Sequence, residues 1–102
     1  MKALLRRHPA LDGVFVAHDP MAIGALETLQ ALGRRVPDDV AVIGFDDVAD
    51  AASTSPPLTT VRQPLELMTE AMAELLLRRI DDASVDDEFV VSPTRLIHRA
   101  SA

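Results

Sequence analysis

The chain has 102 residues, of which 48% are hydrophobic and 3% aromatic, so it can form one small domain with an aliphatic core. Its net charge is −6 and it carries no basic stripe, which argues against direct DNA binding because nucleic-acid affinity depends on neutralising phosphates. It has no cysteine, and its apolar runs fall well short of the roughly 20 residues that span a bilayer. We therefore expect a soluble cytoplasmic protein without disulfides or membrane contact.

The N-terminal part predicts a helix end, a strand and a second helix. Residues 2–8 have the pattern of the last turns of a helix whose beginning is missing, and a proline then ends it. The apolar residues 14–17 predict a short buried strand, which ends in His18 and Asp19. Asp19 followed by proline is a favoured helix start, with Asp19 as the N-cap, and the helix should continue to a stop at Gly33.

Residues 40–45 predict the central strand of a parallel sheet, because five of these six are apolar without strict alternation. Together with the preceding strand and helix they form a β-α-β unit over residues 13–45, and its crossover should be right-handed. The two strands are then parallel neighbours or near neighbours. Their polar ends, His18 with Asp19 and Asp46 with Asp47, should lie at the same edge of the sheet.

The remaining residues predict a loop, short strands and one long helix. Residues 48–57 are a loop with one short helical turn, and residues 58–61 have the β-branched content of a strand. Residues 64–80 follow the spacing of an amphipathic helix. The acidic turn at 81–88 is interpreted as a solvated connection. Two further short strands are predicted at residues 89–91 and 95–98.

The strand ends are the candidate ligand site, because open α/β sheets bind ligands at the carboxyl ends of their strands. Asp46 could accept hydrogen bonds from the hydroxyls of a polyol, and His18 can donate or accept toward the same ligand. Asp19 belongs to this set mainly as the residue that orients the cleft, and Gln63 and Leu65 follow the third strand toward the same edge. The alternatives are structural: carboxylates that start a turn, a solvent-facing histidine, a turn glutamine and a core leucine.

No catalytic, metal or cofactor site is predicted. The hydroxyls of Ser53, Thr54 and Ser55 lie outside any Gly-x-Ser-x-Gly elbow, and the three histidines are too far apart in sequence for a metal pair on one helix. The four glycines are scattered singly, unlike a phosphate-binding loop. An acid–base pair of Asp46 and Asp47 is the least favoured reading, because no second group with a matched role is visible.

Three stretches of the chain resemble one family. Residues 14–26, which read Val-Phe-Val-Ala-His-Asp-Pro-Met-Ala-Ile-Gly-Ala-Leu, are similar to the Ala-Asn-Asp-x-Met-Ala-x-Gly-Ala segment of lactose-repressor (LacI/GalR) transcription regulators. Residues 35–40, leading to Gly-Phe-Asp-Asp at 44–47, and residues 56–65 resemble its downstream stretches. The resemblance covers nearly the whole chain in the right order.

The resemblance implies an α/β fold of the periplasmic-binding-protein type, in which two lobes enclose an effector cleft and an N-terminal helix-turn-helix binds operator DNA. Residues 1–102 resemble only the C-terminal lobe, with its parallel sheet, and its return segment, so we expect a single partial domain. The helix at 64–80 would then pack with the missing N-terminal lobe or with a partner chain.

The resemblance also assigns roles to positions. Asp46 matches the effector-binding aspartate, and His18 stands where the family has an asparagine that contacts the effector, which leaves the identity of the effector open. Leu65 matches a frequent apolar or aromatic effector contact. The family's dimer contacts fall on Ile23, Leu26, Ser53 and Thr54. For Ile23 and Leu26 the alternative is packing onto their own sheet.

We therefore predict the effector-binding and dimerisation part of a LacI-type regulator. Its partners would be a small molecule, most readily a sugar, and a second copy in a homodimer or higher assembly; DNA would be contacted only through the missing head. Half a cleft should bind sugar weakly. Two other hypotheses stay open: a fragment of a sugar-binding receptor for transport, and a self-associating module that binds no ligand.

Overall fold

A computed structural model describes residues 1–82 and 88–102. The first three helical or strand elements are α1 at Lys2–Arg7, β1 at Gly13–Phe15 and α2 at Asp19–Ala31. They are followed by β2 at Ala41–Asp46, a 3-10 helix at Ala49–Ser53 and β3 at Thr59–Arg62. The last two elements are α3 at Leu65–Asp81 and β4 at Arg95–Ile97.

The four strands form one sheet in the order β1-β2-β3-β4. Strands β1, β2 and β3 run parallel, with Phe15 opposite Ile43 and Asp46 opposite Arg62, whereas β4 is antiparallel to β3. This confirms the predicted β-α-β unit and makes its two strands direct neighbours. The α/β class with a mostly parallel sheet is also confirmed.

The core lies between α2 and the sheet. Leu26 and Leu29 of α2 pack with Val40 and Val42, and Leu58, the residue before β3, completes the cluster. Leu29, Val42 and Leu58 are fully buried. Because α2 packs against the buried face of β2, the helix fixes the strand whose end carries Asp46.

The C-terminal residues bind backbone groups at the other end of β2 and β3, which the sequence pattern did not predict. The Ser101 hydroxyl donates to the Val42 carbonyl at 2.6 Å and accepts from the Thr59 amide at 2.8 Å. The Val42 amide in turn donates to the Ser101 carbonyl at 2.7 Å. Ser101 is fully buried, so this hydroxyl satisfies backbone groups where β2 and β3 are not yet paired.

The predicted strand at residues 89–91 is wrong. These residues form no strand, and the side chains of Phe89 and Val91 are exposed. A short apolar run becomes a strand only where a neighbour accepts its backbone hydrogen bonds, and the ladder between β3 and the return segment begins only at Arg95. Part of the predicted acidic turn, residues 83–87, lies outside the described residues.

The chain divides into two compact units. The first contains Met1–Arg62 and Arg95–Ala102, and therefore the whole sheet. The second is Gln63–Thr94, built on α3. Leu67, Met72 and Ile80 of α3 are all exposed. Exposed apolar side chains are expected on an amphipathic helix whose apolar residues are not covered by another surface.

Candidate functional site

His18 and Asp46 meet at the carboxyl edge of the sheet, as predicted. The ladder between the first two strands continues past β1, because the Val16 amide donates to the Ile43 carbonyl at 2.8 Å. Two residues later the chain reaches His18, and its Nε2 lies 3.4 Å from Oδ2 of Asp46. The side chains are 56% and 22% exposed, so both can meet a molecule arriving from solvent.

This pair offers complementary hydrogen-bonding chemistry. The imidazole can donate from one nitrogen and accept at the other, while the carboxylate accepts at two oxygens. A vicinal diol presents donors and acceptors at similar spacing, and bonds to a carboxylate are stronger than neutral ones. The pair is therefore suited to a polyhydroxylated ligand.

Asp19 does not cap α2, so the N-cap prediction is wrong. The helix begins at Asp19 itself, and the preceding His18 occupies the N-cap position without a side-chain capping bond. The Asp19 side chain instead turns inward, is fully buried and accepts from the Thr60 hydroxyl at 2.6 Å and the Val48 amide at 3.0 Å. The carboxylate binds the buried hydroxyl of Thr60 instead of the backbone amides at the start of α2. It still lies in the first turn of the helix, where negative charge is favoured.

Gly44 leaves the space that Asp19 occupies. A Cβ on Gly44 would collide with the Asp19 carboxylate and lie 3.0 Å from Cδ2 of Leu58. Glycine is required here by close approach of a charged side chain to the strand. Asp19 therefore connects α2, β2, β3 and the loop after β2 directly behind the exposed pair.

Asp47 is the second buried carboxylate at this edge, and its side chain is 3% exposed. Arg62 donates to its Oδ2 through Nε at 2.5 Å, and Arg99 donates to its Oδ1 through Nη2 at 2.6 Å. Burial raises the pKa of the Asp47 carboxyl, but the hydrogen bonds from Arg99 and Arg62 outweigh it and hold that pKa below its usual value. Asp47 is therefore a fixed negative charge beside Asp46.

Comparisons with known proteins show the family of the chain. A model of the periplasmic binding protein-like domain matches residues 1–102. The HTH-type transcriptional regulator CelR of Thermobifida fusca is 48% identical over 101 residues, which are 99% of this chain and 30% of the relative. The lactose operon repressor of Rhizobium radiobacter is 39% identical over 101 residues, 99% of this chain and 88% of the relative.

Solved structures of transcriptional regulators superpose on this chain. A transcriptional regulator CelR–cellobiose complex superposes with a TM-score of 0.93 at 46% identity, covering 99% of this chain and 31% of that one. A LacI family transcriptional regulator from Lactobacillus casei with bound sucrose has a TM-score of 0.74 at 37% identity, covering 89% and 33%. The chain belongs to the periplasmic binding protein-like family, in its LacI-type branch. It spans about 30% of the length of its CelR relative.

The other two predicted effector contacts lie elsewhere in the chain: Gln63, predicted because it follows the third strand, and Leu65, which the LacI-type resemblance also assigned. Gln63 and Leu65 belong to the second unit, where the Gln63 carbonyl accepts from the Leu65 amide at 3.0 Å and the Leu65 side chain is 57% exposed. Gln63 lines a cavity of about 440 Å³ in that unit, beside Met68, Met72 and Phe89. Their effector contacts stay a prediction.

The four predicted dimer positions differ in accessibility. Leu26 is 4% exposed and packs in the core, as expected if it packs onto its own sheet. Ile23 is partly buried against the same core. Ser53 ends the 3-10 helix with its side chain exposed. The Thr54 hydroxyl donates to the Pro56 carbonyl at 2.7 Å. An interface role for these residues stays a prediction.

Sequence reasoning missed the residues that support the exposed pair, namely Thr60, Arg62 and Arg99. Thr60 lies inside β3, Arg62 ends that strand and Arg99 follows β4, and no period or short motif marks any of them. Within residues 1–82 and 88–102, no group of three or more His, Asp or Glu side chains is placed to hold a metal ion. In the same part of the chain no helix has the length and apolar character to cross a membrane.

Proposed function

We propose that this chain supplies effector-contacting residues to a LacI-type transcriptional regulator acting in the cytoplasm, and that the effector is a sugar or a related polyol. The observation that carries the proposal is the approach of His18 Nε2 to Asp46 Oδ2, at 3.4 Å, on a solvent-exposed sheet edge. In this proposal Asp46 accepts from ligand hydroxyls and His18 completes the contact as donor or acceptor.

The relatives support a sugar as the ligand class. One similar structure is described as a complex with cellobiose and another as having bound sucrose. Leu65 is included as an effector contact on the family resemblance, and Gln63 because it follows the third strand. Asp19, whose oxygens accept from Thr60 and Val48, is proposed to hold the edge in place.

DNA binding is assigned to a part of the regulator outside these residues. The chain carries 16 acidic side chains against 10 Lys and Arg, so its surface repels a phosphate backbone on average. An effector acts on such a protein by binding one conformation more tightly than another. We propose that contacts at Asp46 and His18 supply that difference in affinity.

Assembly is the second part of the proposal. The exposed apolar side chains of α3, including Leu67, Met72 and Ile80, require a covering surface, which we assign to another lobe of the regulator or to a partner chain. Ile23, Leu26, Ser53 and Thr54 are proposed to lie at a homodimer contact. Light scattering of the chain with and without sugar tests assembly; a strict monomer at high concentration would contradict it.

The ligand proposal is tested by NMR titration of the isotope-labelled chain with cellobiose, sucrose and glucose. Two side chains offer few contacts, so we expect saturable shifts of His18 and Asp46 signals with a Kd in the millimolar range, about −4 kcal/mol. Asp46→Asn should weaken binding by roughly tenfold or more, because a bond to a charged acceptor contributes about 1.5–3 kcal/mol.

Asp38→Asn is the matched control. It makes the same change of charge in the loop before β2, at the opposite end of that strand, and should leave the affinity unchanged. Equal weakening by Asp38→Asn and Asp46→Asn, or sugar-dependent shifts that avoid His18 and Asp46, would refute the assignment. Micromolar affinity would contradict the expectation of few contacts.

A further inference from the structure

The backbone at the end of β2 has an unusual conformation at the proposed ligand-contacting residue. Asp46 has φ = 111° and Asp47 has φ = 57°, both positive. Aspartate tolerates the left-handed region better than most residues, which accounts for Asp47, but φ near 111° lies outside that region. Such a conformation costs on the order of 1–3 kcal/mol and persists only where surrounding contacts enforce it.

Asp47, the next residue, is held by two strong contacts. Its two carboxylate oxygens are bound by different arginines: Arg62, the last residue of β3, takes Oδ2, and Arg99, which follows β4, takes Oδ1. The carboxylate is 3% exposed, so its two oxygens are shielded from competition by water. The residue after Asp46 is thus fixed to two other segments of the sheet.

Both arginines are themselves held. Arg99 also donates from Nη1 to the Leu58 carbonyl at 2.7 Å, and its amide donates to the Thr59 hydroxyl at 2.9 Å. Arg62 belongs to the β3 ladder, opposite Asp46 on one side and Arg95 on the other. Two arginines facing each other across strands repel, and Asp47 supplies the counter-charge for Arg62.

We propose that Asp47, Arg62 and Arg99 form a clamp that holds the Asp46 backbone at positive φ and thereby sets the position of the Asp46 carboxylate beside His18. Its consequence for affinity rests on the proposed effector function. All three are positioning residues, because their charged groups bind one another rather than the ligand. Without the clamp, Asp46 relaxes to an ordinary extended conformation and its carboxylate leaves the site.

The test compares sugar affinity, thermal stability and backbone geometry in the variants Asp47→Asn, Arg62→Gln and Arg62→Lys. Arg62 has a 55% exposed side chain, so Arg62→Gln keeps the protein folded even if Asp47→Asn does not. We expect Arg62→Gln to weaken cellobiose binding at least threefold at a temperature where the protein is fully folded. Arg62→Lys, which keeps the charge, should restore part of that loss.

Two controls separate positioning from general stabilisation. Arg35→Gln removes an exposed arginine–aspartate pair before β2 and should leave affinity unchanged. In an Asp46→Asn background, Arg62→Gln should change affinity less than twofold, because the clamp acts through the Asp46 carboxylate. A lower Tm with unchanged cellobiose affinity in folded Arg62→Gln, or additive losses in the double variant, would overturn the proposal.

The backbone measurement is independent of any ligand. NMR couplings and carbon shifts of Asp46 report φ directly, and they should move from positive to negative φ in Asp47→Asn or Arg62→Gln. If the unmodified chain binds no sugar, the effector function fails while this change still supports the clamp. A positive φ at Asp46 retained in the folded variants would reject the clamp whatever the binding result.

Discussion

Replacing Gly44 with alanine tests whether the buried Asp19 carboxylate holds the edge of the sheet together. The new methyl group would collide with that carboxylate and displace it from the Thr60 hydroxyl, which it now meets at 2.6 Å. A hydrogen bond to a charged group contributes about 1.5–3 kcal/mol, and a buried hydroxyl left unpaired adds a penalty of about 1–3 kcal/mol. Because these contributions overlap, we expect a loss of about 2–4 kcal/mol.

The assay is chemical and thermal denaturation followed by circular dichroism. A loss of that size should lower Tm by roughly 10 °C or more in a domain of this size. Gly24→Ala is the matched control: it lies within α2, nothing stands within 4 Å of its added Cβ, and it should stabilise by about 0.5–1 kcal/mol. Replacing glycine with alanine should therefore destabilise the protein at position 44 and stabilise it at position 24.

A double variant identifies the cause. Asp19→Ala removes the group with which the new methyl collides, so Gly44→Ala should cost at least about 1 kcal/mol less in that background. The contact with Leu58 remains in both backgrounds and does not account for the difference. An equal cost of Gly44→Ala with and without the Asp19 carboxylate would refute the reasoning.

Two further predictions concern single side chains. The Arg35 side chain and the Arg35 amide both donate hydrogen bonds to the Asp39 carboxylate, and they lower its pKa from 3.8 to about 2. The carboxylate therefore contributes its full stabilisation above about pH 4, and this contribution is lost as the pH falls toward 2. A carbon NMR titration of the Asp39 carboxyl should give a pKa of about 2, which should rise toward 3.8 in Arg35→Gln. An unchanged Asp39 pKa in that variant would exclude the Arg35 side chain as the cause. His18→Asn, which introduces the family's amide, should alter sugar affinity while changing stability by less than about 0.5 kcal/mol, because the imidazole is 56% exposed and makes no capping bond. A large stability loss with unchanged affinity would assign His18 a structural role.

The sheet and the meeting of His18 with Asp46 could be predicted because both follow from short-range rules. An apolar run without strict alternation indicates a strand of a parallel sheet, and a helix between two such strands makes them parallel. Burial on both faces is not observed: Val42 and Gly44 of β2 are buried, whereas Ile43 and Phe45 on its other face are only partly buried. Parallel strands end at one edge, so two polar strand ends must converge there. These steps need only the order of residue types along the chain.

The support behind that pair could not be predicted, because it depends on contacts distant in sequence. Asp19 meets Thr60 across 41 positions, and Asp47 meets Arg99 across 52. Local propensity predicted an N-cap at Asp19, and only the packed strand β3 shows that a buried hydroxyl draws the carboxylate inward. The predicted strand at 89–91 failed for a related reason, since pairing depends on a partner that local sequence does not reveal.

The two dipeptides at the sheet edge look alike in sequence but divide their tasks by different physical means. His18 has extended backbone, with φ = −156° and ψ = 132°, and consecutive residues of an extended chain face opposite ways, so Asp19 is buried whenever His18 faces solvent. At the second pair both aspartates have positive φ, so ordinary strand alternation does not explain why Asp46 is accessible and Asp47 is buried. That distribution depends on the two arginines, and it follows that the position of His18 is robust to distant substitutions whereas the position of Asp46 is sensitive to Arg62 and Arg99. On the proposed function, variation at those two arginines would change affinity without changing the groups proposed to touch the ligand.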